Sequence, residues 1–412
     1  MGKSEKRASV LIIALCWAAY TVAYIGRLNL NAYIEPIRDQ LGASKTELGL
    51  VSSFFFFSYG AGQLFHGIMS KKYNTRYSVA AALIGSALVN LAMTFCGGAG
   101  TMKYVWLLNG FFQSILWSSV VKTLANRLSD DMLPKAIVVM STPPALGTFL
   151  VYGLSALLSS MGVNYKTVFY IPAILLVFVG CAWFALTGKA KEKQSAVSTA
   201  EAAPEKKPLK LAPAFVFGAV LLVFAAVSNG FIKDGVTTWT PSILRESYGM
   251  KESLSILVTV VLPLIAIGGS WLSVALHKRQ KNTSQLNGYL YFAEALILLF
   301  VMLSAKSTAL KSPVLLIILF SISAMLMSAV NNVITSIIPL YMRDSMEPGL
   351  LAGVLDTFCY VGSMLSTGLL GYISDRSSWD GVFLCLFLFG AGAFAACAVS
   401  AVNIKRNSAA KL

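Results

Sequence analysis

The sequence predicts an all-α membrane protein with twelve transmembrane helices in two six-helix halves. Three observations carry this expectation. Of 412 residues, 56% are hydrophobic and 12% charged, whereas a soluble protein carries about 25% charged residues. The mean hydropathy is +0.70. Apolar runs of roughly 20 residues, the length that crosses a bilayer core, alternate with short polar clusters. Together these exclude a soluble enzyme, a secreted disulfide scaffold and a disordered chain.

The first apolar run, from about Ala8 to Ile34, is too long for a signal-peptide core and no clear cleavage site follows it, so it is the first span. Spans are expected at 9–36, 46–69, 77–97, 103–127, 135–158 and 166–187, then at 213–243, 254–277, 286–305, 312–341, 350–374 and 381–402. Residues 188–212 carry six lysines among Ser, Ala, Glu and Pro. That composition buries no core and reads as a flexible, solvated cytoplasmic linker. It separates an N-terminal half, 1–187, from a C-terminal half, 213–412.

The net charge of +15 does not point to nucleic acid. The basic residues sit in short loops beside the spans, where positive charge fixes topology. With both termini on one side, that side holds 21 Lys and Arg and the other nine. Both termini are therefore expected in the cytoplasm, with a bacterial inner membrane as the setting. The six cysteines lie within or at the ends of apolar spans with no paired spacing, and read as small hydrophobes.

Three of the 33 basic residues remain inside the membrane: Arg27, Lys122 and Lys233. A cation at mid-bilayer costs about 2.5–3.5 kcal/mol, so such residues line water-filled cavities or meet counter-charges. Arg27 lies 18 residues into the first span, roughly 27 Å along a helix. Lys233 lies 20 residues into the seventh, roughly 30 Å along. In a transporter whose halves are related by an axis along the membrane normal, these two would face one another across a central cavity. An anion entering between them would relieve their repulsion. A guanidinium fork suits carboxylate or phosphate oxygens, and an ammonium adds a compact charge. The expected partner is a small organic anion. The alternative is neutralisation inside the protein, with Asp234, Asp356 or Glu294 as counter-charge or proton-carrying group. Lys122, five residues before Arg127, either snorkels to the cytoplasmic surface or lines the inner cavity wall.

Gln113, Asn331 and Asn332 are polar groups within apolar runs. They either bond ligand hydroxyls or join helices. Tyr24, Tyr59, Trp117, Trp239 and Tyr360 either wall a cavity or anchor spans at the interface, and for Trp239 the anchor reading is favoured. His66 reads as a packed residue. No zinc-ligand spacing, nucleophile elbow or P-loop is present. Neither catalysis, a metal, a cofactor nor ATP hydrolysis is expected.

Several stretches resemble a known family. They are Tyr24-Ile25-Gly26-Arg27-Leu28-Asn29, Lys233-Asp234-Gly235-Val236-Thr237-Thr238-Trp239, and Asn109 through Trp117 to Lys122, supported by Ser58-Tyr59-Gly60 and Trp379-Asp380-Gly381. They are similar to motifs of the major facilitator superfamily, in particular its organophosphate:phosphate antiporters, the glycerol-3-phosphate and hexose-6-phosphate transporters. The resemblance implies the major facilitator fold, a phosphate-binding Arg27, a second basic residue at Lys233, and exchange of an organophosphate for inorganic phosphate. It also implies a bilayer-embedded chain, expected here as a monomer without nucleic-acid partners.

The sequence departs from the family at Leu116-Trp117-Ser118-Ser119 (usually Gly-Trp-Pro-Pro), at Gln63 and Leu28 (usually lysines) and at Pro143-Pro144, where glycerol-3-phosphate transporters carry a histidine. Asp356 stands where a small residue is usual, and Lys71 where an acidic loop residue is usual. The cavity thus loses positive charge and gains a carboxylate. Arg27 to Leu30 and Phe54 to Phe57 also resemble the related anion:cation symporters. Proton-coupled uptake of a carboxylate or sugar acid, and a transport-silent sugar-phosphate sensor, therefore stay open as alternatives.

Overall fold

The computed structural model describes residues 3–69, 73–129, 131–188, 213–342 and 348–409. The linker from 189 onward and the loop residues Lys71 and Lys72 lie outside the described residues. Apolar runs without a water-facing stripe become helices because lipid offers no partner for backbone N–H and C=O groups. Helices α1 to α9 span Lys3–Ala32, Ile34–Leu41, Lys45–Met69, Thr75–Met93, Ala99–Ser114, Leu116–Arg127, Leu133–Val139, Pro143–Ser160 and Thr167–Thr187. Helices α10 to α16 span Pro213–Tyr248, Glu252–Thr259, Val261–Arg279, Thr283–Lys306, Pro313–Asn332, Ile338–Tyr341 and Pro348–Ala409. No strand occurs among the described residues.

Among the described residues, nine helical stretches are long and apolar enough to cross a membrane, and local chemistry accounts for the difference from twelve. The expected fourth span is interrupted at Ile115, between α5 and α6. There the Ser114 and Ser118 hydroxyls bond the Phe111 and Ile115 carbonyls, a local competition that bends helices. The expected fifth span is interrupted before Pro143-Pro144, which open α8 because proline lacks the N–H a helix interior needs. The last two spans run on as α16, whose 62 residues would reach about 93 Å if straight. A non-helical Ser378 (φ 70°, ψ 176°) divides it. The eighth expected span likewise changes at Val260, between α11 and α12.

The chain forms two compact units, Met1–Ala43 with Phe54–Glu205, and Ser44–Ser53 with Lys206–Leu412. In the first, α1 packs on α8 and α9, and α4 on α5 and α9. Trp183, Leu176, Val120 and Cys16 lie in its apolar core. In the second, α10 and α13 pack on α16, and α12 on α14. The start of α3 belongs to this second unit. There the Asp375 carboxylate accepts the Thr46 N–H at 2.7 Å and its hydroxyl at 2.6 Å, while Lys45 pairs with Glu246 at 2.7 Å.

Large apolar side chains also face outward, Trp271 79% and Phe178 72% exposed. Such a surface fits lipid and would be a liability in water. Between helices, where lipid tails are as apolar as leucine, small residues and hydrogen bonds provide the cohesion. Gly230 of α10 and Gly362 of α16 are one such contact: a Cβ at either would collide with a backbone carbonyl of the other helix, Cys359 or Val227.

Candidate functional site

In the first unit the site is built around Arg27. Its guanidinium carbon lies 3.7 Å from the Tyr24 ring centroid and 5.4 Å from that of Tyr59. A guanidinium over an aromatic face keeps its in-plane N–H fork for oxygen ligands. Tyr20 continues the aromatic surface, 5.3 Å from Tyr24 and 4.9 Å from Trp117.

A buried amide network fixes the turn of α1 that carries the arginine. The Gly26 carbonyl accepts N–H groups from Asn90 (3.0 Å) and Asn109 (2.9 Å). Asn29 donates to Asn90 Oδ1 at 2.8 Å and to the Val168 carbonyl at 3.0 Å. Gln113 donates to Ser86 Oγ at 2.9 Å, and Ser86 donates to Asn109 Oδ1 at 2.6 Å. These residues tie α1, α4, α5 and α9 together. Gln113, one of the expected ligand-binding residues, is 3% exposed and belongs to this network. Lys122 donates from Nζ to the Tyr73 carbonyl at 2.8 Å, and His66 Nδ1 meets the Tyr73 hydroxyl at 3.1 Å.

In the second unit Lys233 is the centre. Its ammonium lies 3.8 Å from Asp234 Oδ2. Backbone neighbours on a helix point about 100° apart, yet the long lysine stem turns back far enough to meet the carboxylate. The Ser363 hydroxyl of α16 donates to the same Asp234 oxygen. Asn229 of α10 donates to Cys359 Sγ of α16 at 3.8 Å. Asn229 donates to Asn331 Oδ1 at 3.0 Å, bridging α10 and α14. Asn332 donates instead to Ser273 Oγ of α12 at 2.8 Å. A π-helical segment, Val333–Ile337, follows directly, a distortion frequent at functional sites.

Glu294 is fully buried in α13 and accepts from the Ser323 hydroxyl of α14; its Oε2 has no hydrogen-bond partner among the described residues. Trp239 is also fully buried, 6.1 Å from Trp379. It packs within the second unit and does not sit at a lipid interface, because Gly49 and Gly371 open a slot for its ring.

The chain matches the Major Facilitator Superfamily over residues 16–346. It belongs to that superfamily. This facilitator is 25% identical over 411 residues to the glycerol-3-phosphate transporter of Bacillus subtilis, covering 94% of this chain and 90% of that one. It is 24% identical over 403 residues to a hexuronate transporter of the same organism, covering 90% of each. Among solved structures, a bacterial homologue of the human lysosomal transporter Spinster aligns with a TM-score of 0.71 at 13% identity, over 99% of this chain and 96% of that one. That likeness shows the fold alone. The chain is thus a multi-pass membrane protein of a transporter superfamily, and the relatives named here are transporters rather than enzymes.

Sequence reasoning quoted Asn29 and Asn109 only as parts of motifs, without this role, and missed Asn90 and Ser86. Their signal was available: each is a polar residue inside an apolar run, where an unpaired amide is costly. It missed Ser363 as well, because a serine in a membrane helix satisfies itself on its own backbone and carries little signal alone.

Proposed function

We propose that this protein is a secondary active transporter of a small organic anion, exchanging an organophosphate for inorganic phosphate by alternating access of its two halves. It works in a cytoplasmic membrane, as a monomer with both termini inside. The observation that carries the reading is Arg27: a guanidinium deep in an apolar helix, laid on Tyr24 and held in register by two amides on the preceding carbonyl. Such a group is expensive to insert and is functional by default. Lys233 supplies the charge of the second half. The relatives' names support the class, since glycerol 3-phosphate and a hexuronate are both anions.

Anion binding screens each cation and so favours the loaded carrier over the unloaded one during the conformational change. Phosphate counterflow into liposomes carrying Arg27→Ala or Lys233→Ala should fall by roughly 30-fold or more, since removing one partner of a desolvated charge pair costs about 2–5 kcal/mol. Near-normal counterflow by either variant, with membrane insertion intact, would sink this reading.

A further inference from the structure

We propose that the second unit carries an accessory binding site, apart from Lys233, for a net-neutral zwitterion with a primary ammonium at one end and a singly charged oxyanion at the other. The site is a cavity of about 400 Å³ walled by Glu246 and Tyr248 at the end of α10, Lys311 just before α14, and Ser374, Trp379 and Asp380 of α16. It lies roughly 20 Å beyond Lys233 along α10, at 1.5 Å per residue. Its volume falls in the range of small-molecule sites, about 300–1,000 Å³. Three separate observations point to a ligand there.

The first is a pair of opposite charges that share the cavity without meeting. Among the described residues neither Asp380 nor Lys311 forms an ion pair. Lys311 instead holds its ammonium 5.8 Å from the Tyr248 ring centroid, a cation–π contact that leaves its N–H donors for an oxyanion. Glu246 is already neutralised, because its Oε2 accepts from Lys45 Nζ at 2.7 Å and from Trp379 Nε1 at 2.9 Å. One carboxylate and one ammonium thus remain to be compensated. A simple anion or a simple cation would each meet a like charge, whereas a zwitterion answers both.

The second observation is Ser374, only 6% exposed, whose Oγ has no hydrogen-bond partner among the described residues. A buried hydroxyl left unsatisfied is costly. A primary ammonium drawn to Asp380 brings three donors, one of which suits this oxygen, and a quaternary ammonium brings none. The third is Ser378, also on the cavity wall, with φ 70° and ψ 176°. It is the one non-glycine residue with positive φ among the described residues. That backbone region is close to glycine-only, and such strain gathers at ligand clamps and switch regions. The turn it makes leads directly into Trp379 and Asp380.

Two sources offer this chemistry, a free phosphodiester zwitterion and the headgroup of phosphatidylethanolamine, and the test separates them. The full-length protein in detergent is titrated calorimetrically with glycerophosphoethanolamine. Saturable binding is expected to persist in Arg27→Ala and Lys233→Ala. It should weaken about tenfold or more in Asp380→Asn and in Lys311→Gln, as the loss of one charge-assisted contact implies. Exchanging the charges in one chain, Asp380→Lys with Lys311→Asp, keeps one of each sign and should bind more tightly than either single variant. Glycerophosphocholine, without N–H donors, should bind more weakly to the wild type. In a second arm the protein is placed in nanodiscs of phosphatidylethanolamine or phosphatidylcholine. A higher unfolding midpoint in the former, lost in Asp380→Asn and Lys311→Gln, supports the site with a lipid headgroup as its ligand even where the free probe does not bind. No binding in the first arm and no difference in the second would overturn the proposal. So would responses that Asp380→Asn and Lys311→Gln leave unchanged, or binding that disappears in Arg27→Ala or Lys233→Ala. Phosphate counterflow should stay near wild type in Asp380→Asn and Lys311→Gln, so the transport reading stands or falls separately.

Discussion

Asn109 donates its side-chain amide to the Gly26 carbonyl at 2.9 Å, one residue before the intramembrane Arg27. The bond lies in a fully buried position, so it sets the rotation of α1 at the level where the guanidinium leaves the helix. Interhelical hydrogen bonds of this kind contribute about 0.6 kcal/mol each and up to about 1.7. Asn109→Ala should therefore lower the thermal-unfolding midpoint only modestly. Its larger effect should be on function, raising the KM for phosphate because Arg27 is no longer fixed in place. A variant with unchanged KM would separate this network from anion binding.

The stacking of Arg27 on Tyr24 at 3.7 Å predicts that charge alone does not suffice. Arg27→Lys keeps the cation but loses the planar fork, and should transport with reduced affinity. Tyr24→Leu should weaken phosphate affinity by roughly 5- to 30-fold, as a desolvated cation–π contact of about 1–2 kcal/mol implies. Tyr24→Phe should stay near wild type. Phosphate titrations of initial counterflow rates measure all three.

Gly230 approaches the Cys359 carbonyl so closely that a Cβ cannot be accommodated. Gly230→Ala must push α10 away from α16 beside Lys233. Thermal unfolding in detergent should show a loss of about 1–3 kcal/mol, the range for overpacking, and uptake should fall with it. Gly153, against which nothing packs within 4 Å, is the control: Gly153→Ala should leave both measurements unchanged.

Glu294 accepts the Ser323 hydroxyl between α13 and α14, a contact that joins the two helices. Replacing a buried carboxyl by the isosteric amide keeps the hydrogen bond to Ser323 and removes a potential charge from the interior. Glu294→Gln should retain phosphate counterflow within about twofold and unfold at the same temperature or higher, as expected when a buried charge is removed. Loss of counterflow by correctly inserted Glu294→Gln would contradict a purely structural contact.

The fold was legible because the strongest physical constraint on it, the absence of water in the bilayer, acts on composition alone. Arg27 and Lys233 were legible for the same reason: a cation in an apolar run is costly wherever the helix points. The partners were less so. Gln113 and Asn332 have the polarity of ligand-binding groups, yet their amides join helices, a choice decided by rotation about the helix axis that sequence spacing does not fix. Asp234 was visible as a neighbour of Lys233, but only the turn-back of the lysine stem and the Ser363 hydroxyl make it a partner. The interruption at Ile115 was hidden because neither proline nor glycine marks it. Pro143-Pro144, by contrast, did signal the start of α8.

The central claim, that Arg27 and Lys233 make this facilitator an anion carrier, is tested most directly by counterflow. Liposomes holding the purified protein and loaded with inorganic phosphate are offered labelled glycerol 3-phosphate and, separately, a labelled hexuronate. Entry of a labelled anion that depends on internal phosphate, and disappears in Arg27→Ala, is the predicted result. Absence of entry for phosphate and both organic anions, with correctly inserted protein, would contradict it.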